Sequence, residues 1–135
     1  MTSSENVSSL SPEVGQLYMT RTMLEKSIID ANASVRRLAK LFGVDYETMQ
    51  AGERVKIPAS FLIVQDGSNE GSVTFYKTAR GDRRVSIKNI RKQASAGDFV
   101  SLSYGKSEEN GESIIIINYT RISQSLKAGK VVNYV

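Results

Sequence analysis

The feature that most constrains this chain is a change of hydrophobic period near Glu53. Before it, apolar residues recur three and four apart; after it, "RVKIP", "FLIVQD" and "SVTFYK" alternate β-branched or aromatic residues with polar ones. A helical period and a period of two cannot serve the same element, so the chain must combine N-terminal helices with a later sheet. An α+β architecture is expected: two N-terminal helices packed on a mainly antiparallel curved sheet or small open barrel, with one short helix inserted.

The local signals refine that outline. Ser11, Pro12 and Glu13 read as a helix start, with a capping hydroxyl, a proline at the first helical position and an acid near the positive dipole end. A first helix is expected from about Pro12 to Ile29, turning Val14, Leu17, Tyr18, Leu24 and Ile28 to one face, with Gly15 a weak point. Past the break at "DANAS", Asn32 or Ser34 would cap a second helix from Ala33 to Phe42, stopped by Gly43. Val35, Leu38, Leu41 and Phe42 are expected inward, and Arg36, Arg37 and Lys40 towards solvent.

In the second half, Asp66, Gly67, Asn69 and Gly71 mark a hairpin loop between Phe61–Gln65 and Ser72–Lys77. A short strand is expected at Arg83–Ile87, then a short helix in "SIKNIRKQASAG" capped by Ser86, stopped by Gly97 and anchored by Ile87 and Ile90. Strands follow at Phe99–Tyr104 and Ser113–Thr120, joined by the turn "GKSEENGE", and "VVNYV" is expected to add an edge strand. The polar, Ser-rich residues 1–11 read as a disordered arm and 12–135 as a single domain.

Several functions lose ground on composition. The chain has no cysteine and no histidine, which removes disulfides, thiolate chemistry, Cys-rich zinc sites and the commonest neutral-pH base and metal ligand. A non-enzyme without a cofactor or metal is expected. The longest apolar run, within Ser113–Thr120, falls far short of the roughly 20 residues of a spanning helix. No secretion signal opens the chain, so a cytoplasmic location and no membrane partner are expected.

Charge is the positive signal. The formal charge is +4, yet Lys77, Arg80, Arg83, Arg84, Lys88, Arg91 and Lys92 lie within sixteen residues against Asp82 alone, a net of +6 that leaves the remainder at −2. Arginine's planar fork suits phosphate oxygens and guanine edges, so these seven residues are the candidate DNA contacts. Lys88, Arg91 and Lys92 would share one side of the short helix, with the other four supplied by strand and loop. Of the neighbouring aromatics, Phe75 is expected in the core, and Tyr76 either half-buried or stacked on a base.

Two rival motifs are weaker. "VRRLAKLFGVDYETM" has a helix-turn-helix outline, but "RVKIP" leaves only about two turns for a recognition helix, and Asp45 and Glu47 would repel phosphates. Asp45, Glu47, Glu53 and Lys56 are the residue types of a metal-dependent nuclease, but Glu53 and Lys56, three apart on a strand, would point to opposite faces.

The order "ANASVRRLAKLFGVDYETMQAGERVKIPA" followed by "TFYKTARGDRRVSIKNIRKQASAGDFVSL" resembles regions preceding the nuclease domain in MvaI/BcnI-type restriction endonucleases. The likeness spans Ala31 to Leu102 and rests on "ANASVR", "KIPA" and "GDRRVSI". It implies a non-catalytic, restriction-modification-associated DNA-recognition module of phage or bacterial type, similar to B3-like recognition folds. No nuclease domain follows before Val135, so recognition or interference is implied in place of cleavage. Two roles are thus expected, binding of DNA and, alternatively, binding of a protein partner by a phage or host regulator. The oligomeric state is left open.

Overall fold

A computed structural model of the chain describes residues 14–65 and 67–120. Six strands form one mixed sheet: β1 (Val14–Tyr18), β2 (Arg54–Phe61), β3 (Glu70–Lys77), β4 (Arg83–Ile87), β5 (Phe99–Lys106) and β6 (Ser113–Thr120). Their spatial order is β1-β5-β6-β2-β3-β4, curled into a half-barrel. Three helices accompany it: α1 (Arg21–Lys26), α2 (Ala33–Leu41) and the one-turn α3 (Ile90–Gln93). The α+β expectation, with a mainly antiparallel curved sheet, is met. Neighbouring strands pair antiparallel except β2 and β6, which run parallel through Ala59↔Ile115, Ser60↔Ile116 and Phe61↔Ile117.

Alternation places the core. Val73 and Phe75 of β3, Val85 and Ile87 of β4, Val100 and Leu102 of β5 and Ile115 and Ile117 of β6 all turn inwards and are buried. Burying such a side chain contributes about 1.5–3 kcal/mol each, so this inward face is the main source of stability. Leu38, Val35 and Ala39 of α2 complete it.

The expected first helix is replaced by β1, a turn and α1. Along residues 14–19 the buried positions are Gly15, Leu17 and Met19, a period of two that a helical reading mistakes because Val14, Leu17 and Tyr18 also fit three- and four-residue spacing. Gly15 permits this packing. A Cβ there would stand 3.3 Å from both Cα and Cγ2 of Val35, so the missing side chain lets α2 lie close on β1. Thr20 then opens α1, its hydroxyl accepting from Met23 N at 3.1 Å. Ser11, Pro12 and the N-terminal arm lie outside the described residues, as does "VVNYV".

The second helix starts and ends close to expectation. Asn32 is its cap, accepting from Val35 N at 3.0 Å, but Leu41 is exposed and not inward, while Phe42 is half-buried against Tyr104 with ring centroids 5.4 Å apart. Arg36 is also not free in solvent, since its Nη1 donates to the Ala31 carbonyl at 2.5 Å.

Both edges of the half-barrel are covered by one segment. Val85 N donates to the Ile29 carbonyl at 2.9 Å and Ala31 N to the Arg83 carbonyl at 3.0 Å, which covers the outer edge of β4. Three residues on, Asn32 Nδ2 donates to the Gln16 carbonyl at 2.8 Å and Gln16 N donates to Ser34 Oγ at 2.9 Å, which covers the outer edge of β1. Exposed edges invite pairing with other chains, and residues 29–34 occupy both.

Candidate nucleic-acid interface

The paired strands β2, β3 and β4 carry Arg54, Lys56 and Arg84 on the face opposite the core, and Lys88 directly follows β4. Register sets Arg54 beside Tyr76 beside Arg84, and Lys56 beside Thr74 beside Ser86. The ladder continues where Lys88 N donates to the Ser72 carbonyl at 2.9 Å. Adjacent strands lie about 4.8 Å apart, so these side chains form a compact patch of cations and hydroxyls. Lys56 and Lys88 line one trough of about 310 Å³ together with Pro58, Glu70 and Asn89. The Arg54 guanidinium sits 4.5 Å from the centre of the Tyr76 ring, a cation-π contact that holds it over the sheet.

The seven cations read from the sequence do not converge as one cluster. Lys77, Arg83 and Arg84 are engaged by the fold. Lys77 Nζ donates to the Met49 carbonyl at 2.9 Å, on the inward side of β3. Arg83 points to the opposite face from Arg84 and lies 3.8 Å from Glu47. Arg84 is clamped by Asp30 at 3.1 Å and Asp82 at 3.2 Å, with its side chain 19% exposed. The other four, Arg80, Lys88, Arg91 and Lys92, are exposed and form no salt bridge among the described residues. Arg80 occupies the β3–β4 turn, whereas Lys88, Arg91 and Lys92 follow the far end of β4, on the order of 17 Å away along a five-residue strand.

The helix carrying Arg91 and Lys92 is also shorter than expected. Ser86 and Ile87 belong to β4, and the residue before α3, Asn89, takes a left-handed conformation (φ 70°) with no side-chain cap. Lys88 therefore precedes the helix and cannot share its face by helical spacing. Gly97 does not end α3, which stops at Gln93; its N–H donates to the Met19 carbonyl at 2.7 Å.

Arg54 and Lys56 were missed as binding candidates, although the alternation in "RVKIPA" was visible. What was hidden was the partner strand. Phe61–Gln65 does not pair as a strand beyond Phe61; β2 instead begins at Arg54 and pairs with β3 over its length, which brings Arg54 and Lys56 beside the basic segment. Phe75 is fully buried as expected, and Tyr76 is half-buried.

The rival constellations have structural employment. No second helix follows α2: Val44, Tyr46 and Met49 are buried in a turn where Asp45 Oδ1 accepts from Glu47 N at 2.9 Å. Glu53 Oε1 accepts from Gln50 N at 2.9 Å, and Asp98 Oδ2 from Ser95 N at 2.8 Å, both local turn contacts. Among the described residues no three carboxylates gather as a metal site, and no helix is long and apolar enough to cross a membrane.

Comparison with known proteins gives no match. No family model, no curated protein and no solved structure matches the chain at a significant level.

Proposed function

We propose that this chain is a non-catalytic DNA-binding module whose contact surface is the outer face of β2–β4 extended by α3. The observation that carries this reading is a set of cations with no salt bridge among the described residues: Lys56 and Lys88 line one trough, exposed Arg91 and Lys92 follow on α3, and Arg54 and Arg80 stand at the other end of the same strands. Such a set follows a phosphate backbone, and the Thr74 and Ser86 hydroxyls between the cations add hydrogen-bond donors for phosphate oxygens. Lys77, Arg83 and Arg84 then serve mainly to hold the face together.

Fluorescence anisotropy of a mixed-sequence duplex titrated at several salt concentrations tests the reading. With four or five phosphates neutralised, log affinity falls with log salt at a slope of roughly −4 to −5. Lys56→Ala with Lys88→Ala makes that slope shallower by about 2. Absence of binding, or binding indifferent to salt, refutes it.

A second reading has its own observation. A trough of about 680 Å³ between the β2–β3 and β5–β6 hairpins has Pro58, Ile114 and Ile116 among its lining residues, along with Glu70, Glu108, Glu109 and Glu112. Apolar side chains beside four carboxylates, with Lys106 the one cation of the lining, suit a basic segment of a protein partner. Retention of a partner after nuclease treatment, and its release by charge reversal at Glu108, Glu109 and Glu112, would favour this reading over DNA binding.

A further inference from the structure

Residues 29–34 bond to the outer edges of β1 and β4, but β2 keeps an open stretch within the sheet. On one side it pairs with β3 from Arg54 to Ser60; on the other it pairs with β6 only through Ala59, Ser60 and Phe61. Phe61 N donates to the Asn69 carbonyl on the β3 side, whereas Leu62 N donates to the Ile117 carbonyl on the β6 side, both at 2.8 Å. Even-numbered residues of β2 therefore aim their main-chain groups at β6. Two residues before Ser60 in that series stands Pro58, which has no N–H to give, and the ladder goes no further. Beyond it, the main-chain N–H and C=O of Arg54 and Lys56 have no hydrogen-bond partner among the described residues.

Burial changes at the same place. Ala59 and Phe61, on the inward face where β6 lies alongside, are buried, whereas Val55 and Ile57 on that face are half-buried. Neighbours on the flanking strands cover a residue on the core side of a sheet, so these two lack cover where β2 lacks a neighbour. On the outward face, Arg54 and Lys56 are exposed and form no salt bridge among the described residues. The acids of this end are held in turns: Glu53 Oε1 accepts from Gln50 N at 2.9 Å, and the Glu112 carbonyl accepts from Ser107 N at 2.8 Å at the mouth of the β5–β6 turn. A strand added beside Arg54–Ile57 would have to supply main-chain partners for Arg54 and Lys56, apolar side chains beside Val55 and Ile57, and carboxylates beside the two cations. A second copy of the same strand would set cation opposite cation, and lysine and proline on an edge discourage such self-pairing.

We propose that the Arg54–Ile57 edge of β2 takes an extended segment of a partner protein, in which apolar and acidic residues alternate, as an additional strand. The inference goes beyond DNA binding and does not depend on it, because its hydrogen bonds come from main-chain groups that phosphate contacts by side chains leave unused. Alternation follows from the pleat: residues of the added strand beside Val55 and Ile57 turn inwards, and those beside Arg54 and Lys56 turn outwards.

The test uses the full chain, with anisotropy of labelled synthetic heptapeptides for affinity and amide hydrogen exchange by NMR for location. A peptide alternating glutamate and valine is expected to bind about tenfold more tightly than one alternating lysine and valine, from the cross-strand charge pairs. It is also expected to slow exchange at the Arg54 and Lys56 amides, which exchange freely in the chain alone. Methylating alternate main-chain nitrogens of the glutamate peptide keeps its side chains and removes donors, and should weaken binding about tenfold. Lys56→Glu, at an exposed position, should reduce or reverse the preference between the two peptides. Equal binding of both peptides, binding that leaves the Arg54 and Lys56 amides unprotected, indifference to methylation, or amides already protected in the free chain each overturns the proposal. Duplex binding is read separately by its salt dependence, so loss of one reading leaves the other standing.

Discussion

Asn32 joins the first strand to the first long helix with one side chain: its Nδ2 donates to the Gln16 carbonyl at 2.8 Å while its Oδ1 accepts from Val35 N at 3.0 Å. Ser34 Oγ also donates to that Oδ1 at 2.8 Å and accepts from Gln16 N at 2.9 Å. The helix cap and the strand edge are thus satisfied by the same two residues. Asn32→Ala is expected to destabilise the fold by about 1–2 kcal/mol, the usual cost of losing a cap. Asn32→Asp keeps the acceptor for Val35 N and loses the donor for Gln16, so it should fall between the two in urea unfolding.

The engaged and free cations should separate by experiment. Arg84→Ala removes a guanidinium held by Asp30 and Asp82, and given how exposed those carboxylates are it should cost about 1 kcal/mol of stability. Lys88→Ala, at an exposed position, should change stability by less than about 0.5 kcal/mol yet weaken duplex binding. Thermal unfolding and anisotropy on the same two variants check this; a Lys88 variant with wild-type affinity would remove Lys88 from the interface.

Close packing at Gly105 gives a third prediction. A Cβ there would lie 2.6 Å from Ile116 Cγ1, so Gly105→Ala must displace the Ile116 side chain or the strand. A destabilisation of about 1–3 kcal/mol is expected, as for overpacked sites. Ile116→Ala in the same chain should recover part of it, giving a coupling between the two substitutions in a double-mutant cycle measured by urea unfolding.

Tyr46 makes stability sensitive to alkali. Its ring is buried, its hydroxyl donates to the Arg84 carbonyl at 2.6 Å, and burial pushes its pKa well above the ordinary tyrosine value of 10.0. A pKa raised on folding means the folded state holds the proton more tightly. The associated stability is present in full below pH 10.0 and is lost as pH rises from there towards the folded value. Tyr46→Phe should lose about 1 kcal/mol at neutral pH with its hydrogen bond, and should show a weaker decline than wild type above that pH. Parallel declines for the two proteins would place the alkaline sensitivity elsewhere. Tyr104, whose pKa is lowered by its hydrogen bond with Ser113 and by Lys106, shifts in the opposite sense and is common to both proteins.

How much of this was legible in the sequence differs from element to element. Strands β5 and β6 were readable because each alternates cleanly, with Val100 and Leu102, then Ile115 and Ile117, on one face. The helix after Asn32 was readable because its cap, its apolar spacing and Gly43 all agree. Strand β1 was not, because a short strand whose buried positions are Gly15, Leu17 and Met19 looks helical to a method that counts large apolar residues and sees glycine only as a weak helix former. The basic segment was readable as charge, yet half of its meaning was not: that Lys77, Arg83 and Arg84 are claimed by Met49, Glu47, Asp30 and Asp82 depends on chain that lies up to 54 residues away in sequence.

By itself, then, the order of amino acids determined where the period changes, which faces are apolar and where positive charge accumulates, since each of these depends on near neighbours. Only the tertiary structure decided which strand lies beside which, and therefore that Arg54 and Lys56 join Lys88 on one face, that residues 29–34 bond to both sheet edges, and that Gln65 N meets the buried Gln93 side chain. Pairing of distant strands is set by the summed burial of the whole inward face, and no local window of sequence contains that sum.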